Sequence, residues 1–475
     1  MNVIKYLEKN VEKHPTKISI IYKDQQLTFQ ELYDKISIFS STLGFLKSDV
    51  VSLISENSIN FVIAYLGILK AGKVAHISHP EITEKKLQEQ LESANSGAII
   101  CSKIVKEKIS RFDIKIQVME IEELQKKTDT VITNQNKIAY IIYTSGTTSI
   151  PKGVPISHEM IDFTTNNITK ILEYTEHDID VLPLPLHHSF GLGCLHTSLL
   201  SGSTLVLLDN ANNLELILDS IKKYNATTLA AIPATLTKFL SNEKTELKNY
   251  FKNIRLIITN STSIPRNTVL EFKKKLENGK LATYYGLTEA SRSTFMIFEK
   301  DNGRENSVGK KAPGVEIKII NEEKDESEIG EIWIKGKNVI KKYWNNENAD
   351  ENIVDGWIKT GDAGYLDAEQ YLFLVGRNDD IINVGGEKIL PQEVESVIRE
   401  IPGVAEVVIF GIKHEVYGQI IKANIVKTKN SDLDKTDILK YCINNLERFK
   451  IPSKIEFVED IPKTDYGKVK RFILK

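Results

Sequence analysis

Short apolar runs recur through the first part of the chain, each closed by a turn residue and followed by a helix-like stretch. They read DVVSLIS (49–55), GAIICS (97–102), IAYIIYT (138–144), GSTLVLLD (202–209), ATTLAAIP (226–233) and NIRLIITN (253–260). Runs of this length, rich in Ile, Val and Leu, fit strands covered on both faces, which is the habit of parallel sheets. Their alternation with helices predicts an α/β fold, with a large N-terminal domain of mostly parallel sheets flanked by helices. The helical stretches agree. LTFQELYDKISIFSSTL carries Thr28 and, three residues on, Glu31, the spacing of a capping box. The apolar run Phe61 to Leu69 stops at Lys70, too short to span a bilayer, and reads as a buried helix.

The texture changes after about Gly330. GEIWIKG, GWIKTGDAGYLD and QYLFLVGR are short strands with Gly and Asp turns, a small antiparallel β subdomain. Beyond Arg377-Asn378-Asp379-Asp380, PQEVESVIREI sets Val394, Val397, Ile398 and Ile401 on one helical face. Strand-like AEVVIFGI, QIIKANIV and KIEFVED and helix-like DILKYCINNL complete a small α+β unit with its own core. The expected division is therefore 1–378 and 379–475.

Bulk composition excludes several classes. A formal net charge of −2 argues against nucleic acid as a main partner. Cys101, Cys194 and Cys442 are far apart and lack metal-type spacing, which suits a reduced, cytoplasmic protein. The N-terminus, MNVIKYLEKNVEKHP, has no secretory core.

The chemistry starts where a strand ends. IAYIIYTSGTTSIPKG (138–153) runs from buried strand into a loop of hydroxyls and glycine closed by Lys152. Such loops after a strand suit a polyanion, above all a phosphate chain. A Walker loop is excluded, because no Gly-Lys-Ser/Thr follows Gly146.

YTSGTTSIPKG resembles the phosphate loop of the adenylate-forming superfamily, which includes acyl-CoA synthetases. PLHHSFG (185–191), YYGLTE (284–289), GEIWIKG (330–336), TGDAGYLD (360–367), GRNDDIINVGGEKI (376–389) and PKTDYGKVKR (462–471) resemble its other motifs, in order and over nearly the whole chain. The resemblance implies that ATP, with Mg²⁺, activates a small-molecule carboxylic acid to an acyl-adenylate, and that the acyl group passes to coenzyme A. Thr144, Ser145, Gly146, Thr147, Thr148 and Lys152 would hold phosphates. Tyr285 and Gly286 would form the adenine seat, Thr288 would reach the α-phosphate, and Glu289 would hold the metal. Asp362, in what reads as a Gly-Asp-Ala-Gly turn, would bind the ribose with Arg377.

By the same resemblance Lys468 is the catalytic cation, carried on a mobile C-terminal lid that turns about Asp379. Gly385 and Gly386 would line the thiol tunnel. His188 would stand beside the substrate carboxylate, with His187 as its rival. The histidines, Ser189 and Phe190 in place of an aspartate point to an acid without an α-amino group, a fatty or other acyl acid. Two other readings stay open: transfer to the phosphopantetheine of an acyl carrier protein, and a nucleotide-binding homologue without turnover.

Overall fold

The computed structural model describes residues 2–124, 136–144, 152–209, 213–241, 246–260, 264–298, 303–321, 329–345, 351–377, 380, 382–384, 387–429, 431–463, 469, 471 and 474. The chain divides into two compact units. The first comprises Met1–Glu316 with Ile334–Ile358, the second Ile317–Trp333 with Lys359–Lys475. Asp379, the expected boundary, lies outside the described residues.

The first unit holds two sheets. One has six strands in the order Gln117–Glu120, Ala98–Cys101, Val50–Ile54, Val74–Ser78, Ile138–Thr144 and Lys152–Ser157. The first five are parallel, and the last turns back antiparallel on Ile138–Thr144. Every residue of Val50–Ile54, Val74–Ser78 and Ala98–Cys101 is buried, Ser52, His76 and Ser78 included, as in a parallel sheet covered on both faces. Helix Ile59–Lys70 is the buried helix expected from Phe61 to Leu69. Thr28 and Glu31 do form a capping box at the start of helix Phe29–Thr42.

Along the main path of the second sheet, nine strands among the described residues lie in the same unit. Their order is Ser307–Lys311, Thr294–Phe298, Lys280–Tyr285, Leu256–Thr259, Thr228–Ala231, Ile179–Leu182, Thr204–Leu207, Ile18–Tyr22 and Gln25–Thr28. The six central strands are parallel, and antiparallel neighbours close both ends. The α/β class read from the alternation is the one observed. Burying each of these Ile, Leu and Val side chains contributes about 1.5–3 kcal/mol.

In the second unit the hairpin Val404–His414 and Gly418–Lys427 carries Ile382–Val384, Glu387–Ile389 and Lys454–Phe457 on its sheet. Helices Pro391–Arg399 and Lys435–Asn445 supply Val394, Ile398, Ile438 and Cys442 to a core with Ile409, Ile421 and Ile425. Val408, Phe410 and Ile461 form a separate cluster against which Val469 and Leu474 pack. Glu395 is buried although its helix is amphipathic. Its carboxylate accepts from the Ile409 backbone N–H at 2.9 Å and from the Arg471 guanidinium.

Candidate active site

Thr144 ends one strand of a hairpin and Lys152 begins the other, and the two stand directly opposite in register. Ser145, Gly146, Thr147 and Thr148 lie outside the described residues. Lys152 Nζ sits 5.6 Å from the centroid of the Tyr343 ring. The Tyr343 hydroxyl donates to Glu289 Oε1 at 3.1 Å. Phosphate-loop lysine and metal-candidate glutamate are thus brought to one tyrosine. The backbone fixes that tyrosine from both sides: Ile340 N–H donates to the Glu289 carbonyl at 2.9 Å, and Trp344 N–H to the Gly153 carbonyl at 2.8 Å.

Tyr285, buried, is the last residue of strand Lys280–Tyr285. The chain then folds tightly on itself, because Leu287 and Ala290 exchange backbone hydrogen bonds of 3.1 and 3.2 Å and Ser293 N–H donates back to the Tyr285 carbonyl at 2.7 Å. A Cβ on Gly286 would come within 2.5 Å of the Ala290 carbonyl oxygen and 2.6 Å of the Arg292 nitrogen. Only glycine fits there. The turn presents Thr288 to a small cavity whose walls include Tyr140, Thr164, Ser189, His196 and Arg292.

His188 caps helix Ser189–Ser201 with extended backbone, next to Ser189 in the cavity wall. Its ring centroid is 4.9 Å from that of His187, which lies 4.5 Å from that of His79. Burial, then the neighbouring imidazoles, lowers the His187 pKa to about 2, so His187 is neutral at physiological pH.

Asp362 and Arg377 lie in the second unit. Asp362 is not in a turn: it sits inside the long strand Trp357–Leu366, opposite Arg377 of strand Leu372–Arg377. Gly and Asp in TGDAGYLD suggested a turn, but Gly361, at φ +70°, serves another purpose. A Cβ there would lie 3.2 Å from the Arg377 guanidinium, which reaches Asp362 Oδ1 at 3.2 Å.

Lys468 lies outside the described residues, as do Asp379, Gly385 and Gly386. Three described residues near Lys468 in the chain, Lys463, Val469 and Arg471, are fastened, however. Lys463 and Val469 form an antiparallel bridge, and Lys463 binds Glu406. Arg471 binds Glu395 and reaches Asp380 at 3.5 Å.

The donor set suits magnesium. Among the described residues no three His, Cys, Asp or Glu side chains cluster as a metal cage. A single carboxylate such as Glu289 would leave the remaining positions to phosphate oxygens and water, the usual manner of Mg²⁺ at a nucleotide. Sequence reasoning missed Tyr343 and Arg292. The aromatic pair in KKYWNN was the available sign of the first; a lone arginine among small residues in EASRS was that of the second.

A sequence model of the AMP-binding enzyme family matches residues 7–344. The chain belongs to this family. Residues 393–468 match the C-terminal domain of AMP-binding enzymes. Among AMP-binding relatives, oxalate–CoA ligase of Arabidopsis thaliana is 30% identical over 98% of this chain and 97% of its own. The o-succinylbenzoate CoA synthetase MenE of Bacillus subtilis, solved with the acyl-adenylate intermediate OSB-AMP, superposes with a TM-score of 0.89 at 29% identity. That match covers 99% of this chain and 97% of MenE. MenE has also been solved with ATP and a magnesium ion. ATP-bound MatB of Rhodopseudomonas palustris superposes with a TM-score of 0.91 at 26% identity, over 100% of this chain and 98% of its own. No helix among the described residues is long and apolar enough to cross a membrane.

Proposed function

We infer that this enzyme joins a carboxylic acid to coenzyme A in two steps. A carboxylate oxygen attacks the α-phosphorus of ATP and pyrophosphate leaves. The thiol sulfur of coenzyme A then attacks the acyl carbon and AMP leaves. The observation that carries the reading is the convergence of Lys152 and Glu289 on Tyr343, at the root of a hydroxyl-rich loop, in a chain matched along its length by CoA ligases.

Each residue has a part in this reading. Thr144, Ser145, Gly146, Thr147, Thr148 and Lys152 cradle the β- and γ-phosphates. Tyr285 and Gly286 border the adenine. Thr288 donates to the α-phosphate, and Glu289 is the residue to hold Mg²⁺, which when bound offsets charge on the phosphates. Asp362 accepts from the ribose hydroxyls while Arg377 holds its carboxylate in place. His188 orients the acid. Lys468 places a point charge where negative charge develops on phosphorus. Residues 379–475 act as a lid hinged at Asp379, and Gly385 and Gly386 let the pantetheine arm pass close to the backbone. Three buried thiols, Cys101, Cys194 and Cys442, with no disulfide among them, support a cytoplasmic location.

The test is ATP–pyrophosphate exchange over a panel of carboxylic acids with Mg²⁺, followed by AMP release on adding coenzyme A. Exchange with at least one acid, and thiol-dependent AMP release, are expected. No exchange with any acid refutes adenylation. Exchange with AMP release only to a holo carrier protein assigns the thiol to that partner instead.

A further inference from the structure

Arg292 is 5% exposed, yet its guanidinium has no carboxylate within 4.0 Å among the described residues. One terminal nitrogen donates to the Ser189 carbonyl at 2.9 Å, the other to the Ser291 hydroxyl, and Nε is buried without a partner. Its charge lies 5.1 Å from the centroid of the Tyr284 ring. Tyr140, His196, Cys194 and Tyr284 feel this charge, and these four are neutral near pH 7. Burial raises Tyr140 to about 12 and lowers His196 to about 3, and it raises Cys194 and Tyr284 as well. Asp180, the buried acid of a nearby strand, instead accepts from Thr228 at 2.8 Å.

The fold accepts costs to keep this cation. Buried charge without an opposite charge is strongly unfavourable. The backbone of Arg292 is left-handed, φ +56°, which an arginine seldom adopts. Helix Ser189–Ser201 carries glycine at 193, where a Cβ would fall 1.7 Å from the Arg292 Nη2. The guanidinium borders the same cavity as Thr288, the residue beside the reacting phosphate in the proposed function.

We propose that Arg292 receives a second carboxylate on the acid, so that the enzyme activates dicarboxylic acids in preference to uncharged acyl chains. This rests on reading the cavity as the acid pocket of a CoA ligase. The planar fork of arginine, with its Nε–H left without a partner, matches a carboxylate that brings the missing charge. The neutral walls then concentrate the selection on that one group.

The experiment compares α,ω-dicarboxylic acids of graded length with their own monomethyl esters, which keep the length and one reactive carboxylate but lose the second charge. AMP formation is followed with ATP, Mg²⁺ and coenzyme A for wild type, Arg292→Gln and Arg292→Lys. The best diacid should exceed its monoester by about 100-fold in kcat/KM. Arg292→Gln should lose about 100-fold toward the diacid, with at least a ten-fold smaller loss toward the monoester. Arg292→Lys, which keeps charge without the fork, should still prefer the diacid.

Equal use of diacid and monoester by wild type overturns the proposal. So does an equal loss toward both in Arg292→Gln, the result expected of an arginine that merely braces the Ser189 carbonyl. A parallel thermal-shift measurement separates this proposal from the activity itself. The diacid should raise the unfolding midpoint of wild type and not of Arg292→Gln, whether or not AMP is formed. No shift for wild type with any diacid refutes the receptor, and no AMP with any acid refutes the ligase reading.

Discussion

Replacing Asp180 by asparagine should remove a pH-dependent weakness from the first unit. Asp180 is 1% exposed in strand Ile179–Leu182. Its Oδ1 accepts from the Thr228 hydroxyl at 2.8 Å, and its Oδ2 is buried without a partner. Burial lifts its pKa from 3.8 to about 7. The Thr228 hydrogen bond opposes the rise, the charge of Asp178 adds to it, and Arg255 subtracts.

Between those two values the native state binds more protons than the unfolded chain, so this group's contribution to stability falls as pH rises. Each tenfold gain in proton affinity corresponds to about 1.4 kcal/mol, so the penalty is about 4 kcal/mol at pH 8 and about 1.7 kcal/mol at pH 5. The substituted amide would keep the acceptor for Thr228 and never ionise. Its new N–H groups add a constant cost of about 1–3 kcal/mol if unmet, which shifts the level but not the slope. The advantage of Asp180→Asn over wild type should therefore grow by about 2.5 kcal/mol from pH 5 to pH 8. At roughly 2 °C per kcal/mol for a chain of this size, thermal unfolding should show the midpoints separating by about 5 °C. Parallel midpoint curves for the two proteins across this range would refute the assignment.

Other outcomes follow from the site. Lys468→Ala should lower acyl-adenylate formation by about 10²–10³-fold, the cost of one preorganised donor, while thioester formation from supplied acyl-adenylate stays within a few-fold; equal loss in both half-reactions, measured separately, removes the assigned role. Tyr343→Phe keeps the ring over Lys152 but removes the hydrogen bond to Glu289, so the Mg²⁺ needed for half-maximal activity should rise about ten-fold, with KM for the acid little changed. Gly286→Ala forces a methyl against the Ala290 carbonyl and the Arg292 nitrogen, and should lower kcat/KM at least ten-fold while the unfolding midpoint moves little; wild-type kinetics would show that the turn has slack.

The strands were legible because each is short, apolar and largely buried, a pattern that suits a parallel sheet. Local signals such as Thr28 with Glu31, and the Val394, Ile398 and Ile401 face, are likewise realised in the fold. What local pattern could not supply was partnership over distance. Nothing near Asp362 told that its stretch would stay extended and set Arg377 opposite, since glycine and aspartate favour turns and only tertiary pairing overrides them. The buried Glu395 depends in the same way on Arg471, far along the chain, for its counter-charge. Tyr343 and Arg292 carry no spacing signature: their part depends on two cations, Lys152 and Arg292, that have no carboxylate in ion-pair range among the described residues.

That last point gives the first unit a common electrostatic logic. Two of its structural cations are paired with acids: Arg255 meets Asp178 at 2.6 Å, and Lys273 meets Glu305 at 3.1 Å. Lys152 and Arg292, by contrast, face the rings of Tyr343 and Tyr284 at 5.6 and 5.1 Å, with no carboxylate in ion-pair range among the described residues. An incoming anion would have to break an acid partner first, and breaking a buried pair costs about 3–5 kcal/mol. A ring holds a cation by only about 0.5–2 kcal/mol and need not be displaced. Rings therefore keep these cations in position without neutralising them. Tyr343 does so while its hydroxyl holds Glu289, which arranges a cation and an anion around one side chain, as the proposed binding of a phosphate chain and its metal would require.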